Sequence, residues 1–205
     1  MSFYEDRIFP HVMEWGARPF RRSCAEVMAY AQGRVLEIGV GTGANLRNYP
    51  EAVTEVIGIE PSDAMLQIAH ERLQQTKSAF RWELQQADAR SLPFETASFD
   101  TVVAILVFCT IPDPERAAAE AFRALKPGGR LVFFEHVVSP DSGLARWQHR
   151  INPTWRKLAC GCEINRDTRS LFERAGFRFE NIKAWQHPKI VSIAASVIAG
   201  VGVRP

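Results

Sequence analysis

Short apolar runs alternate along the chain with stretches of helical period. Runs at 34–38, 55–59, 80–85, 101–108, 130–136 and 177–185 have the length and composition of strands. Between them, 63–75 and 114–125 repeat apolar residues at helical spacing. Ser62 or Asp63 can cap the first helix, and Asp113-Pro114 opens the second. Gly128-Gly129 breaks the chain before the next strand. Residues 11–32 also have a helical pattern. Strand–helix–strand alternation predicts parallel pairing with helices on both faces of an α/β sheet. In such sheets ligands bind beyond the carboxyl ends of the strands. Segments 39–45, 60–63, 88–90, 107–111 and 136–139 should therefore share one rim. An insert at 141–168, rich in Trp, Arg, His and Cys, separates the fifth and sixth strands.

Length and charge narrow this picture. The chain has 205 residues, 46% hydrophobic and 23% charged, with a formal net charge of +2. That is enough for one core, so a single domain over 1–205 is expected. The balance of charge does not mark a nucleic-acid binder. The N-terminal sequence has no signal-peptide pattern, and the longest apolar run, 190–203, is too short to span a bilayer. No transmembrane segment is expected. Four cysteines, at 24, 109, 160 and 162, point to a reducing, cytoplasmic compartment. Cys160-Gly-Cys162 has no second pair at zinc spacing, so no metal site is expected.

The chemistry concentrates in "LEIGVGTGANL", residues 36–46. Glycines at 39, 41 and 43 exceed what a tight turn needs, so the backbone must approach a ligand closely. Two readings fit. Gly39-x-Gly41-x-x-Ala44, with Glu60 about 20 residues on, matches the dinucleotide fingerprint. Alternatively, Glu37-x-Gly39-x-Gly41-x-Gly43 resembles the first motif of class I S-adenosylmethionine-dependent methyltransferases. A dinucleotide would set a pyrophosphate near the Glu37 carboxylate, whereas adenosylmethionine carries a cationic sulfonium and ammonium that an acid attracts. Glu37 either acts directly or holds the loop by accepting from its N–H groups.

The resemblance extends further. "LPFETASFDTVV" (92–103) and "RALKPGGRLVFFEH" (123–136) are similar to the fourth- and fifth-strand signatures of that class. It implies a Rossmann-like, mostly parallel seven-stranded sheet. For the cofactor it implies contacts from Glu37, Gly39, Gly41, Gly43, Asn45, Glu60, Pro61, Met65, Asp88, Ala89, Leu106 and Phe108. Glu60 would take the ribose hydroxyls, Asp88-Ala89 the adenine amino group, and Phe108 would pack by the methionine moiety. "GTGANLRNYP" (41–50), "ILVFCTIPD" (105–113), "FEHVVSP" (134–140) and "WQHRINPTWRKLACGCEINRDT" (147–168) are similar to the thiol S-methyltransferases of the methyltransferase-like family. Those relatives carry an apolar N-terminal anchor; the sequence opens on "MSFYEDRIFPHVMEWG", so membrane association is not expected to carry over.

Methyl transfer to a small molecule needs orientation of the acceptor and exclusion of water. A thiol must also ionise. His136, at the end of the fifth strand, is the candidate base. His136, Trp147, His149 and Trp155 are candidate acceptor contacts, with Trp185 as a further wall, and Cys109 reads as a small core filler. Arg166 and Asp167 read as a pair starting the helix that ends near Gly176. By resemblance, residues 1–32 are expected to be a helical lid segment, with Tyr4 and Arg7 over the cofactor. No acidic cluster of magnesium type stands on the rim, so metal-independent transfer to a small thiol is expected. Oxygen or nitrogen acceptors such as a quinone precursor, a phenol or a phospholipid amine remain open. So do an NAD-type oxidoreductase and a non-catalytic adenosylmethionine-binding module.

Overall fold

A computed structural model describes Tyr4 and residues 8–205. Seven strands form one sheet: β1 (Gly33–Ile38), β2 (Val53–Glu60), β3 (Arg81–Gln86), β4 (Phe99–Ile105), β5 (Leu125–His136), β6 (Arg178–Gln186) and β7 (Ser196–Val203). Their order is β3-β2-β1-β4-β5-β7-β6. All neighbours are parallel except β7, which runs antiparallel to both β5 and β6. The order reverses between β1 and β4, so their carboxyl ends open a crevice there. β1, β2 and β4 are buried on both faces along most of their length, which is why they appear in the sequence as continuous apolar runs.

Helices cover both faces. α1 (Phe9–Ala17) and α2 (Arg21–Met28) precede the sheet. α3 (Asp63–Gln74), α4 (Pro114–Ala124), α5 (Ser142–Leu158) and α6 (Thr168–Arg174) lie between strands. Each of the last four begins on a side-chain cap: Ser62, Asp113, Asp141 and Asp167 accept from backbone N–H groups three residues on. On one face Phe20, Cys24, Val27 and Met28 pack against Val35, Val56, Val103, Val132 and Phe134. On the other, the buried alanines 117, 118, 121 and 124 of α4 bring that helix close to Phe99, Leu131 and Phe133, with Phe172 of α6 alongside.

Three expectations are corrected. The helix expected over 11–32 is broken at Arg18–Phe20 into a 3₁₀ turn, where Pro19 lacks the N–H that a continuous helix needs. β4 ends at Ile105 rather than 108, because Leu106 turns to φ +55° and the next three N–H groups leave the sheet. The apolar run 190–203 contains the seventh strand. A Cβ at Gly200 would sit 2.1 Å from the Asn181 carbonyl oxygen, so β7 passes β6 at a point where only glycine fits. No helix among the described residues is long and apolar enough to cross a membrane.

Candidate active site

The loop after β1 divides the work of its three glycines, all at positive φ. A Cβ on Gly39 would lie 2.4 Å from Val107 Cγ2, and one on Gly43 2.9 Å from Leu46 Cδ1 and 3.3 Å from the Cα of Ala69 in α3. Both are bare so that the loop can pack on protein. A Cβ on Gly41 would meet the terminal methyl of Met13 at 3.5 Å and the Gly39 carbonyl oxygen at 4.0 Å, both at ordinary contact distance. Of the three, Gly41 is the one whose bareness is not demanded by a close protein neighbour.

Three carboxylates hold this loop. Glu60, at the end of β2, is buried and accepts from Gly41 N (3.1 Å) and Ser62 N (3.1 Å) through different oxygens. Burial raises its pKa, and the two backbone donors oppose the rise. Each oxygen keeps a further lone pair, which suits a vicinal diol. Glu37 is fully buried and accepts from Asn45 Nδ2 (2.8 Å) and Tyr49 Oη (2.8 Å) rather than from loop N–H groups. Burial lifts its pKa from 4.5 to about 7, against those two donors. Glu14 of α1 accepts from Thr42 Oγ1 (2.5 Å) and pairs with Arg72 of α3 (2.7 Å). Burial acts to raise the Glu14 pKa, but Thr42 and Arg72 outweigh it and leave the carboxyl below its ordinary range. No sequence pattern flagged Glu14, which stands 28 residues before the threonine it meets. From the N-terminal segment it is Met13 and Glu14 that reach the glycine loop. Tyr4 instead donates to the Leu158 carbonyl (2.9 Å), and Arg7 lies outside the described residues.

Asp88, after β3, is half-exposed and gripped by Arg90, which also lowers its pKa. Ala89 is buried beside it, and Met65 is buried at the start of α3. The Pro61 carbonyl accepts from Gln86 Nε2 (3.0 Å). Leu106 N donates to Phe134 O (2.7 Å). Phe108, expected beside the methionine moiety, is wholly buried against Phe172, ring centroids 4.8 Å apart. It braces the β4 loop from the core side. That loop is held by Glu135, whose carboxylate accepts from Val107 N (2.9 Å), Phe108 N (2.8 Å) and Cys109 N (3.1 Å). Burial raises the Glu135 pKa to about 7, against these donors.

His136 follows Glu135 and faces the other way. Its ring meets Phe20 edge-on at 5.3 Å, and its Nδ1 lies 4.0 Å from Cys162 Sγ. Cys162 Sγ is 3.7 Å from Cys109 Sγ. Contact with Cys109 and with the neighbouring His136 holds the Cys162 thiol well below its ordinary range despite burial, and the same contact with burial pushes Cys109 up. Trp155 packs beside the two cysteines. The other insert candidates do not join them. Trp147 is 57% exposed under Arg150, and exposed His149 contacts Asn165 (2.7 Å). The inward residue of that turn is Gln148, which accepts from Ser139 N and donates to the carbonyls of Val137 and Ile193. Trp185 packs against Phe134 in the core. Arg166 and Asp167 do not pair: Asp167 caps α6, while Arg166 binds Glu163 and the carbonyls of Phe108 and Ile111.

A sheet of this order with an acid-ringed glycine loop at its switch point is the architecture of a methyltransferase. A family model described as a methyltransferase domain matches residues 36–133. The chain is 30% identical over 172 residues to the thiol S-methyltransferase TMT1A of Homo sapiens, covering 83% of this chain and 70% of that protein. It is 42% identical over 127 residues to a phosphatidylethanolamine N-methyltransferase of Cereibacter sphaeroides, covering 62% of each. A solved SAM-dependent methyltransferase of Thermotoga maritima is 26% identical, with a TM-score of 0.71 and coverage of 98% of this chain and 97% of that one. The chain belongs to the class I S-adenosylmethionine-dependent methyltransferases. It spans between 62% and 70% of the length of the first curated relatives it matches, and under two thirds for most of them.

Proposed function

We propose that the protein transfers a methyl group from S-adenosylmethionine to a small molecule, with a thiol as the leading acceptor. One observation carries the cofactor reading: Glu14, Glu37 and Glu60 all bond to the glycine loop, at residues 42, 45 and 41. Arg72 offsets only Glu14. In their ionised forms these carboxylates repel a pyrophosphate and attract a cation, which disfavours a nicotinamide dinucleotide. The residues present fit adenosylmethionine. Glu60 would hold the ribose diol, the bare backbone at Gly41 would face the ligand, and Met13 and Glu14 would border the bound cofactor. Bound there, the cofactor would supply an activated sulfonium methyl. The chain's own part is then to orient the acceptor, exclude water and accept a proton, with His136 as the candidate group for the last.

The thiol reading rests on the likeness to TMT1A, and the rival on the N-methyltransferase, whose shorter match is more identical. Residues 1–205 are read as one domain, with α5 and the turn after it on the acceptor side and with no nucleic-acid partner. Two buried cysteine sulfurs 3.7 Å apart as thiols support a reducing, cytoplasmic setting.

Calorimetry tests the cofactor: S-adenosylhomocysteine should bind and NAD should not. Glu60→Ala should weaken that binding by a few kcal/mol at most, since a charge-assisted hydrogen bond contributes roughly 1.5–3 kcal/mol. NAD binding without adenosylhomocysteine binding overturns the reading. A labelled-methyl screen over thiols, amines and phenols then tests the acceptor. Transfer to amines or phenols with none to thiols would remove the thiol assignment alone.

A further inference from the structure

Cys109, His136 and Cys162 come from three different elements: the loop after β4, the end of β5 and the turn after α5. We propose that these three side chains form a binding site for a soft divalent cation of the zinc class.

The geometry carries the proposal. The two sulfurs are 3.7 Å apart, Cys162 Sγ and His136 Nδ1 are 4.0 Å apart, and the three donor atoms lie within 4.8 Å of one another. In a tetrahedral zinc site with Zn–S of about 2.3 Å and Zn–N of about 2.0–2.1 Å, two sulfurs stand roughly 3.8 Å apart, and a sulfur and a nitrogen roughly 3.5–3.6 Å. The cysteine pair already has the required separation. The imidazole must come about half an ångström closer to Cys162 and, since the donors lie within 4.8 Å of one another, up to about 1.2 Å closer to Cys109, within the reach of a side-chain rotation. A disulfide would ask for much more, since its sulfurs are only about 2.05 Å apart.

The surroundings hold the donors in place. Cys109 is fixed on both sides: its N–H donates to Glu135, and its carbonyl accepts from Glu163 N (2.8 Å). Cys162 closes a tight turn in which Cys160 and Gly161 both take positive φ, and its N–H donates to Ala159 O (3.0 Å). Ile164, Ala194, Trp155, Ile190 and Ile193 wall the pair with apolar surface. The indole N–H of Trp155 is buried beside Cys162 and can serve its thiolate sulfur as an outer-shell donor. Two thiols and one imidazole are soft donors that favour zinc-class ions over magnesium or calcium. Three protein ligands leave a fourth position for water, the pattern of zinc sites that stay open to an incoming ligand.

The test uses the full chain, stripped with a chelator under reducing conditions and titrated with Zn²⁺ against a chromophoric competitor, and separately with Co²⁺. One equivalent should bind, and the cobalt form should show thiolate-to-metal charge-transfer absorption with tetrahedral ligand-field bands. Cys109→Ser and Cys162→Ser should each weaken zinc by about 100-fold or more, with Cys24→Ser unchanged. Zinc should raise the Tm of the wild type and not that of Cys162→Ser. If a serine variant fails to fold, the wild-type cobalt spectrum still decides. Absence of thiolate charge-transfer bands overturns the proposal, as does zinc affinity unchanged in both serine variants. A Cys109–Cys162 disulfide found by mass mapping of the purified, unreduced protein would overturn it too. With zinc on Nδ1 the other ring nitrogen of His136 carries its proton, so the metal-bound form would not use His136 as the base; metal binding is read without methyl transfer, so its failure leaves the proposed function standing.

Discussion

Removing the Glu135 carboxylate should strip the β4 loop of its anchor and change the pH dependence of stability. Glu135 is fully buried, and its two oxygens accept from three consecutive backbone N–H groups, at Val107, Phe108 and Cys109. A buried donor left without a partner costs about 1–3 kcal/mol. Three such groups, partly relaxed, make Glu135→Ala destabilising by on the order of 3–6 kcal/mol near pH 5, a large share of a typical 5–15 kcal/mol stability. The pKa of the group is raised from 4.5 to about 7 in the folded chain. For an acid raised on folding, the folded state holds the proton more tightly. Its contribution is fully present below about pH 4.5 and is lost as pH climbs to about 7. At about 1.4 kcal/mol per pH unit that loss amounts to roughly 3 kcal/mol. The gap between wild type and Glu135→Ala should therefore be widest near pH 5 and narrow by up to about 3 kcal/mol at pH 8. Glu135→Gln, which keeps an acceptor oxygen, should be milder at pH 5 and show the same narrowing. Urea unfolding of the three proteins at pH 5, 6, 7 and 8 measures this. Subtracting wild type removes the parallel titration of Glu37, which neither variant alters. An Ala cost under about 1 kcal/mol at pH 5, or a gap that does not move with pH, would refute the account of the loop and its anchor.

Three further outcomes are expected. Gly41→Ala should abolish adenosylhomocysteine binding by calorimetry while lowering stability only by the roughly 1–2 kcal/mol of a left-handed alanine; Gly39→Ala should instead lower the Tm, because its Cβ meets Val107 at 2.4 Å. The reverse pattern would mean that Gly39, not Gly41, faces the ligand. Glu37, with a pKa of about 7, should make adenosylmethionine affinity rise by up to about tenfold from pH 6 to 8 as the carboxylate ionises, and Glu37→Gln should flatten that profile; parallel profiles would place the cation away from this acid. Gly200→Ala should give no soluble, cooperatively folded protein at normal expression temperature, since its Cβ would lie 2.1 Å from the Asn181 carbonyl; a melting curve close to wild type would show that β6 can move aside.

The strands buried on both faces, the caps of α3 and α4 and the glycine loop were legible in the sequence, because each depends on local chemistry. A strand covered on both sides must be apolar throughout, a helix start needs a side-chain acceptor, and a backbone that meets a ligand or another chain segment must lack side chains. Local chemistry does not say which partner a side chain finds. Glu37 could have met the loop N–H groups, and only the fold brought Asn45 and Tyr49 to it. The aromatic residues of α5 looked like pocket walls, yet the helix turns Trp147 outward and Gln148 inward, against the usual sorting by hydrophobicity, because the inward position faces two carbonyls and an N–H that need polar partners. Glu14 reaches Thr42 across 28 residues, and Cys109, His136 and Cys162 meet across 27 and 26 residues of chain. No periodicity links such positions. They come together because β4 and β5 end side by side and the turn after α5 folds back over those ends, an arrangement fixed by strand order and packing.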